Sequence, residues 1–256
     1  MNRHLSSTLL HARAYSRAAA PPTHRQITKL YETHVPVSTP EKVVLAVGSA
    51  FTALINPLRG DMVATLGETT GRRFLTSMRD QMLSSSSGRR ILRERPSIHT
   101  STIDFDKLRK ECAPNTFGAA YVSWLDAEGV TPDTRSPVRF VDDEELAYVM
   151  KRYREIHDFF HTLTGLGVTV EEEIALKWFE WAQTGLPMTM LSSLVGPLRL
   201  SLAEKQRLFG TYVPWALQTG ASATPLMTVY FEDHFDVPLD ALRAQLGIST
   251  PPPIQN

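Results

Sequence analysis

Apolar side chains recur at helical spacing through most of this chain. The clearest run is Leu146, Val149, Tyr153, Ile156, Phe160 and Leu163, with steps that alternate between three and four residues, the signature of one buried helical stripe. Asp142 and Glu145 resemble a capping box at its start and Gly165 is its stop. The same reading predicts a helix from Thr39-Pro40-Glu41 through the apolar run Val43–Ile55, ending at Asn56-Pro57. A second covers about Arg72 to Leu83 and runs into Ser84-Ser85-Ser86-Ser87-Gly88, read as a flexible loop and the preferred site of a proteolytic nick. Asn115 is expected to cap a helix that Gly129 closes, and residues 129–139 form a turn-rich link. Thr169 with Glu172 caps the next helix, to about Thr184, and Ser201 with Glu204 another, bent or broken at Pro214. Two short helices are predicted over 225–235 and 238–246, with Gly247 as the stop. Strand alternation is scarce, so the predicted fold is all-α, one domain over residues 31–246 and a disordered tail over 247–256.

Charge changes the picture at one end. Residues 1–31 hold Arg3, Arg13, Arg17, Arg25 and Lys29 and no acid. An Arg-, Ser- and Ala-rich, acid-free start without a long apolar core reads as a mitochondrial transit peptide, taken as residues 1–30, with the run Arg13-Ala14-Tyr15-Ser16 placing cleavage near Ser16. Those five account for part of the 27 basic residues, leaving 22 against all 27 acidic ones, so the remainder is mildly acidic and no nucleic-acid partner is expected. The lone Cys112 excludes an internal disulfide and a thiolate zinc cluster. The most apolar stretch, Leu186 to Leu200, is interrupted by Pro187, Gly196, Pro197 and Arg199, short of the roughly 18 residues a membrane span needs. Any membrane contact is therefore expected to be peripheral.

The candidate chemistry lies in His157-Asp158-Phe159-Phe160-His161. At about 100° per residue, His157, His161 and Asp158 share one helix face, and two imidazoles one turn apart can hold one metal ion without backbone distortion. Asp158 has too short an arm for a base reaching past the ion and suits a ligand, or an orienter of one, better. A carboxylate from the next helix would complete the set. Glu172 is occupied by the capping box and Glu171 serves the first turn, which leaves Glu173. Plainer readings stand beside this one. Glu173 and Lys177 form an i,i+4 pair, and with Glu180 they make a polar stripe that could face water. His157 could be a core histidine, and His161 a helix-end cation. GETTG (67–71) lacks the lysine of a phosphate loop and is read as a turn.

Several stretches are similar to the coenzyme Q biosynthesis protein 4 family: GSAFTALINPLRGDMVATLGETTG (48–71), NTFGAAYVSWL (115–125), GVTPDTRSPVRFVDDEELAYVMKRYREIHDFFHTLTG (129–165) and KWFEWAQTGLPM (177–188). The resemblance spans about residues 31–246. The family signature is H-D-x-x-H, eleven residues and a Glu, and the eleven residues 162–172 separate His161 from Glu173. The resemblance implies a helical mitochondrial protein, peripheral on the matrix side of the inner membrane, within a multi-enzyme coenzyme Q assembly. It allows a homodimer. By it, His157, Asp158, His161 and Glu173 are the metal ligands, with Zn²⁺ as the expected ion.

Two functions follow from that resemblance. The first is metal-dependent decarboxylation, with or without hydroxylation, at ring C1 of a 4-hydroxy-3-methoxy-5-polyprenylbenzoate. The second is a non-catalytic, lipid-binding scaffold for the biosynthetic complex, with a structural metal. A third reading, metal-dependent hydrolysis, rests on the H-x-x-x-H spacing alone. Asp158 is the one proton donor the sequence offers to the first. Candidate walls for a polyprenyl tail are Phe159, Phe160, Trp178 and Met188–Val195, and the Arg-rich segment 72–95 could meet anionic headgroups or simply be solvated.

Overall fold

The computed structural model describes residues 28–56 and 59–253, so most of the expected import segment, residues 1–27, lies outside the described residues. The chain is all-α, with no strand among those residues and an isolated bridge between Thr116 and Pro238. Helix α1 (Thr39–Ile55) starts where Ser38 gives its backbone N–H to Glu41 and stops at Asn56. It forms a hairpin with α2 (Gly60–Thr70). Residues 67–70, read as a turn, are instead the last turn of α2. Gly67 there lets α2 approach α10 (Pro187–Val195) closely, since a Cβ would meet Met188 Sδ at 2.3 Å.

Helices α3 (Arg72–Ser84) and α4 (Ser86–Glu94) meet at one residue, Ser85, whose Oγ accepts from Gly88 N–H. The serine run is thus a tight corner and not a flexible loop. Gly88 lies so near the Met82 backbone that a Cβ would be 2.2 Å from its carbonyl oxygen. The arginines of this segment are largely paired: Arg79 with Asp80, Arg90 with Glu94 and Asp233, and Arg95 with Glu144. After α5 (Phe105–Glu111), α6 (Phe117–Glu128) is capped by Thr116 and not Asn115, and closes on Gly129 at φ 66°.

The long predicted helix is two. Helix α7 (Glu144–Glu155) is capped by Asp143, one residue later than expected, and Ile156 separates it from α8 (His157–Thr164), which Gly165 ends at φ 75°. Both are buried nearly all round, so the apolar repeat passes through the break without registering it. Phe159 and Phe160 belong to this core: Phe159 meets Phe117, Tyr121 and Phe231, and Phe160 meets Phe179. Helix α9 (Val170–Thr184) follows, its Thr169 cap as predicted. It packs along α12 (Val213–Ser222) and against α10 (Pro187–Val195). Between them α11 (Leu202–Arg207) has the expected Ser201/Glu204 capping box, and a π-helical stretch at Leu208–Tyr212 supplies the break ahead of Pro214. Residues 225–235 form 3-10 turns and not an α-helix, whereas α13 (Leu239–Leu246) ends at Gly247 as predicted. Packing continues into the expected tail. Ile248 is buried and the Ser249 carbonyl accepts from Trp215 Nε1.

Candidate metal centre

His157 is the first residue of α8 and His161 lies one turn on, so both rings leave the helix on one side. Each Nδ1 faces an acceptor that carries no proton. His157 Nδ1 is 2.5 Å from Glu180 Oε1, and His161 Nδ1 is 3.1 Å from the Leu166 carbonyl. Each Nδ1 therefore carries the hydrogen, and each neutral ring offers its lone pair at Nε2. These two nitrogens are 3.3 Å apart. Glu173, in the first turn of α9, brings Oε1 to 3.3 Å from His161 Nε2 and Oε2 to 4.0 Å from His157 Nε2. The ligand atoms of His157, His161 and Glu173 all lie within 4.8 Å of one another. Two ligands about 2.0–2.1 Å from one ion at the tetrahedral angle are about 3.3–3.4 Å apart. Lone pairs converging at that distance repel unless a cation lies among them, so the donor set fits a divalent ion.

Behind the trio, Glu180 is fully buried and accepts from Lys177 Nζ at 2.8 Å and Tyr153 Oη at 2.9 Å as well as from His157. The stripe Glu173–Lys177–Glu180 thus faces the site and not water. Burial, and after it the Lys177 charge, lower the His157 pKa and favour the neutral ring a metal needs. Burial opposes ionisation of Glu173. When no ion is bound and the rings carry a second proton, the His161 hydrogen bond and the charges of His157 and Lys177 outweigh it and pull the carboxyl down to about 2.

Asp158, expected as the fourth ligand, is not in the converging group. One residue on from His157, about 100° round the helix, its buried carboxylate pairs with Arg135 of the link after α6. Three protein ligands, two His and one Glu, is the composition of catalytic zinc sites, whereas structural sites close with four.

The trio opens on a cavity of about 830 Å³. Polar Lys177, Asp158 and Arg135 line it beside the trio, and apolar Leu54, Val63 and Leu66 of α1–α2 and Met188, Leu191 and Val195 of α10 line it as well. Of the predicted tail walls, the α10 segment lines this space; Phe159, Phe160 and Trp178 do not. Trp124 of α6 also borders it, its indole stacked on His161 at 4.8 Å between centroids.

Residues 31–252 match the family described as coenzyme Q (ubiquinone) biosynthesis protein Coq4. The chain belongs to the Coq4 family. A Laccaria bicolor relative named as the mitochondrial ubiquinone biosynthesis protein COQ4 is 55% identical over 225 residues, covering 88% of this chain and 75% of that one. A Bos taurus homologue, also named as mitochondrial, is 53% identical over 223 residues, covering 87% and 84%. The crystal structure of a Nostoc punctiforme protein described as a ubiquinone biosynthesis protein superposes with a TM-score of 0.64. It covers 81% of this chain and 99% of that one, and at 20% identity it bears on the fold alone. Coq4 membership gives this chain a place in coenzyme Q biosynthesis, and its relatives are named as mitochondrial. No described helix is long and apolar enough to cross a membrane.

Four residues at this Coq4 site escaped the sequence reading: Glu180 as a partner of His157, Tyr153 behind it, Arg135 and Trp124. A signal for Glu180 existed, since it lies seven residues after Glu173 and three after Lys177 on one face. Arg135 left none, because its link to Asp158 is tertiary.

Proposed function

We propose that this chain is a divalent-metal-dependent decarboxylase acting at ring C1 of a 4-hydroxy-3-methoxy-5-polyprenylbenzoate, with Zn²⁺ as the ion. The observation that carries this reading is a three-ligand donor set in a cavity that apolar side chains of α1, α2 and α10 also line. Such a space suits a ligand with an anionic head and a hydrocarbon tail, and each buried CH₂ of the tail would contribute about 0.8 kcal/mol. His157, His161 and Glu173 would hold the ion, which when bound would orient a carboxylate and stabilise negative charge on oxygen. Glu180 and the Leu166 carbonyl keep the two imidazoles in the required tautomer. Apolar walls exclude water and strengthen those electrostatics. Helices α8 and α9 already pack into the core, so holding them together does not call for the metal, which argues against the rival scaffold with a structural ion.

The reading places the chain peripherally on the matrix side of the inner membrane, near the other enzymes of the pathway, and one further feature supports contact with lipid. On α1, Val43, Val44, Val47, Phe51 and Ile55 are each more than half exposed, and Leu54 of the same helix reaches the cavity. An apolar face beside the cavity would let a prenylated substrate pass from lipid to site. The test is elemental analysis of the purified protein beside CO₂ release from the prenylated benzoate. Glu173→Gln should lose the metal and the activity together, and metal-loaded wild-type protein that releases no CO₂ would sink the proposal.

A further inference from the structure

One aromatic side chain beside the ligand cluster has no part in holding the ion. Of the four tryptophans in the chain, Trp124 alone lines the cavity. Its indole lies nearly parallel to the His161 ring, at 22° and 4.8 Å between centroids. Trp124 Nε1 donates to the Leu166 carbonyl at 3.3 Å, and the same oxygen accepts from His161 Nδ1 at 3.1 Å. Two N–H groups that converge on one oxygen leave the bodies of both rings on its far side. His161 Nε2 lies toward the far end of one ring, and the six-membered ring of the indole is the far end of the other. Helix α6, the hydrogen bond and the stacked imidazole fix this arrangement before any ligand arrives.

The surroundings of the indole are apolar and open. Trp124 packs against the core yet is only partly buried. Val130, past the Gly129 end of α6, and Val168 and Val170, on either side of the Thr169 cap, line the same cavity and are each more than a third exposed. Tyr153, the other aromatic side chain of the lining besides the two histidines, is almost fully buried. An indole whose N–H is already satisfied offers a ligand only its π-face and carbon rim. Stacked and edge-to-face aromatic pairs gain more than the area they bury, so such a wall favours a flat ring over a puckered aliphatic one.

Resting on the function proposed above, we propose that Trp124 receives the aromatic ring of the substrate and selects a benzoate over a saturated carboxylic acid with the same tail. A saturated acid shares the carboxylate and the tail with the substrate, so neither the metal nor the apolar lining can reject it. Only the planar ring differs, and Trp124 is the open aromatic wall next to the ligands.

The experiment uses the metal-loaded full chain and two acids, a prenylated 4-hydroxybenzoate and a cyclohexanecarboxylate with the same tail. Wild-type protein should prefer the aromatic acid by about 2- to 12-fold, the worth of one aromatic pair. Trp124→Phe should keep most of that preference. Trp124→Leu, an apolar wall without a π-face, should bind both acids alike and retain its metal. The aromatic acid, and not the saturated one, should also change the emission of Trp124, read as the difference between wild type and Trp124→Phe. That reading does not depend on the folding of Trp124→Leu. A preference that survives in Trp124→Leu overturns the inference, as does an aromatic acid that binds without altering Trp124 emission. Metal lost from Trp124→Leu overturns it too, because the indole would then serve His161 and not the ligand. A metal-loaded wild type that shows the preference and the emission change but releases no CO₂ overturns the decarboxylase reading and leaves the assignment of Trp124 standing.

Discussion

Glu180→Gln tests how far the carboxylate behind His157 sets the metal site. Glu180 is fully buried and accepts from His157 Nδ1 at 2.5 Å, Lys177 Nζ at 2.8 Å and Tyr153 Oη at 2.9 Å. Burial alone would raise its pKa; the Lys177 charge and the His157 hydrogen bond reverse that and hold the carboxyl far below the usual carboxylate range. An amide keeps the shape but has one oxygen for these donors; Tyr153 and Lys177 share the Oε2 position and hold that oxygen, so the NH₂ turns to His157, which loses the acceptor that fixes its tautomer. Removing such an outer partner costs about 10- to 100-fold in metal affinity, or roughly 1.4–2.8 kcal/mol. Stability falls separately. Lys177, with its side chain 22% exposed, keeps only the Glu173 charge nearby, and breaking a buried pair costs about 3–5 kcal/mol. Its partial contact with water favours the lower end of that range. At about 2–4 °C per kcal/mol for a chain of this size, Tm of the metal-free protein should drop by about 6–12 °C. Metal titration against a competing chelator at neutral pH reads the first effect and thermal melting the second. Lys177→Met/Glu180→Gln separates them: removing the stranded ammonium should restore most of the Tm without restoring affinity. A folded Glu180→Gln protein that binds metal within about twofold of wild type would refute the argument.

The remaining predictions concern Glu173 and α1. Glu173→Gln removes the only anionic ligand of the trio and should weaken metal binding by about 100-fold or more, read by elemental analysis after dialysis. The same carboxyl gives the metal-free protein a pH signature. Its folded pKa, about 2, lies below the ordinary 4.5, so its stabilisation is present above pH 4.5 and is lost as pH falls toward 2. The loss is small, because the side chain is 35% exposed and solvent screens it. Melting of metal-free Glu173→Gln should show a shallower decline than wild type over that window, and parallel curves would refute it. Phe51→Asp, on the exposed face of α1, should leave Tm within about 2 °C of wild type and reduce co-sedimentation with vesicles. Undiminished sedimentation would exclude this face as the lipid contact.

The two histidines were legible because helix periodicity alone puts them one turn apart. Glu173 was legible because the Thr169 cap commits Glu172. What stayed hidden depends on tertiary neighbours. A polar stripe on α9 looks the same whether it meets water or a buried imidazole, and the direction of His157 decides which. The Asp158–Arg135 pair crosses from α8 to an irregular link, so no spacing rule predicts it. Local boundaries failed for a related reason. Ile156 is apolar and in register, so the break between α7 and α8 leaves the hydrophobic repeat intact. Gly88 looks like a loop residue until the Met82 backbone is seen against it.

The disposition of Asp158 bears on what the metal is for. Were its carboxylate a fourth ligand, two neutral imidazoles and two carboxylates would fill a tetrahedral Zn²⁺ ion and cancel its charge, the ligand count of a closed structural site. Such a centre would have neither a coordination position nor a net charge to attract a carboxylate. With Asp158 on Arg135, the same residues leave three ligands, one net positive charge and a guanidinium edge on the cavity that also carries the apolar wall. Diverting a single side chain by a quarter turn of helix therefore separates a metal that ties helices together from one that handles a substrate. Arg135→Gln/Asp158→Asn distinguishes these directly: metal content is unchanged if Asp158 stands outside the donor set and falls if Asp158 is a ligand.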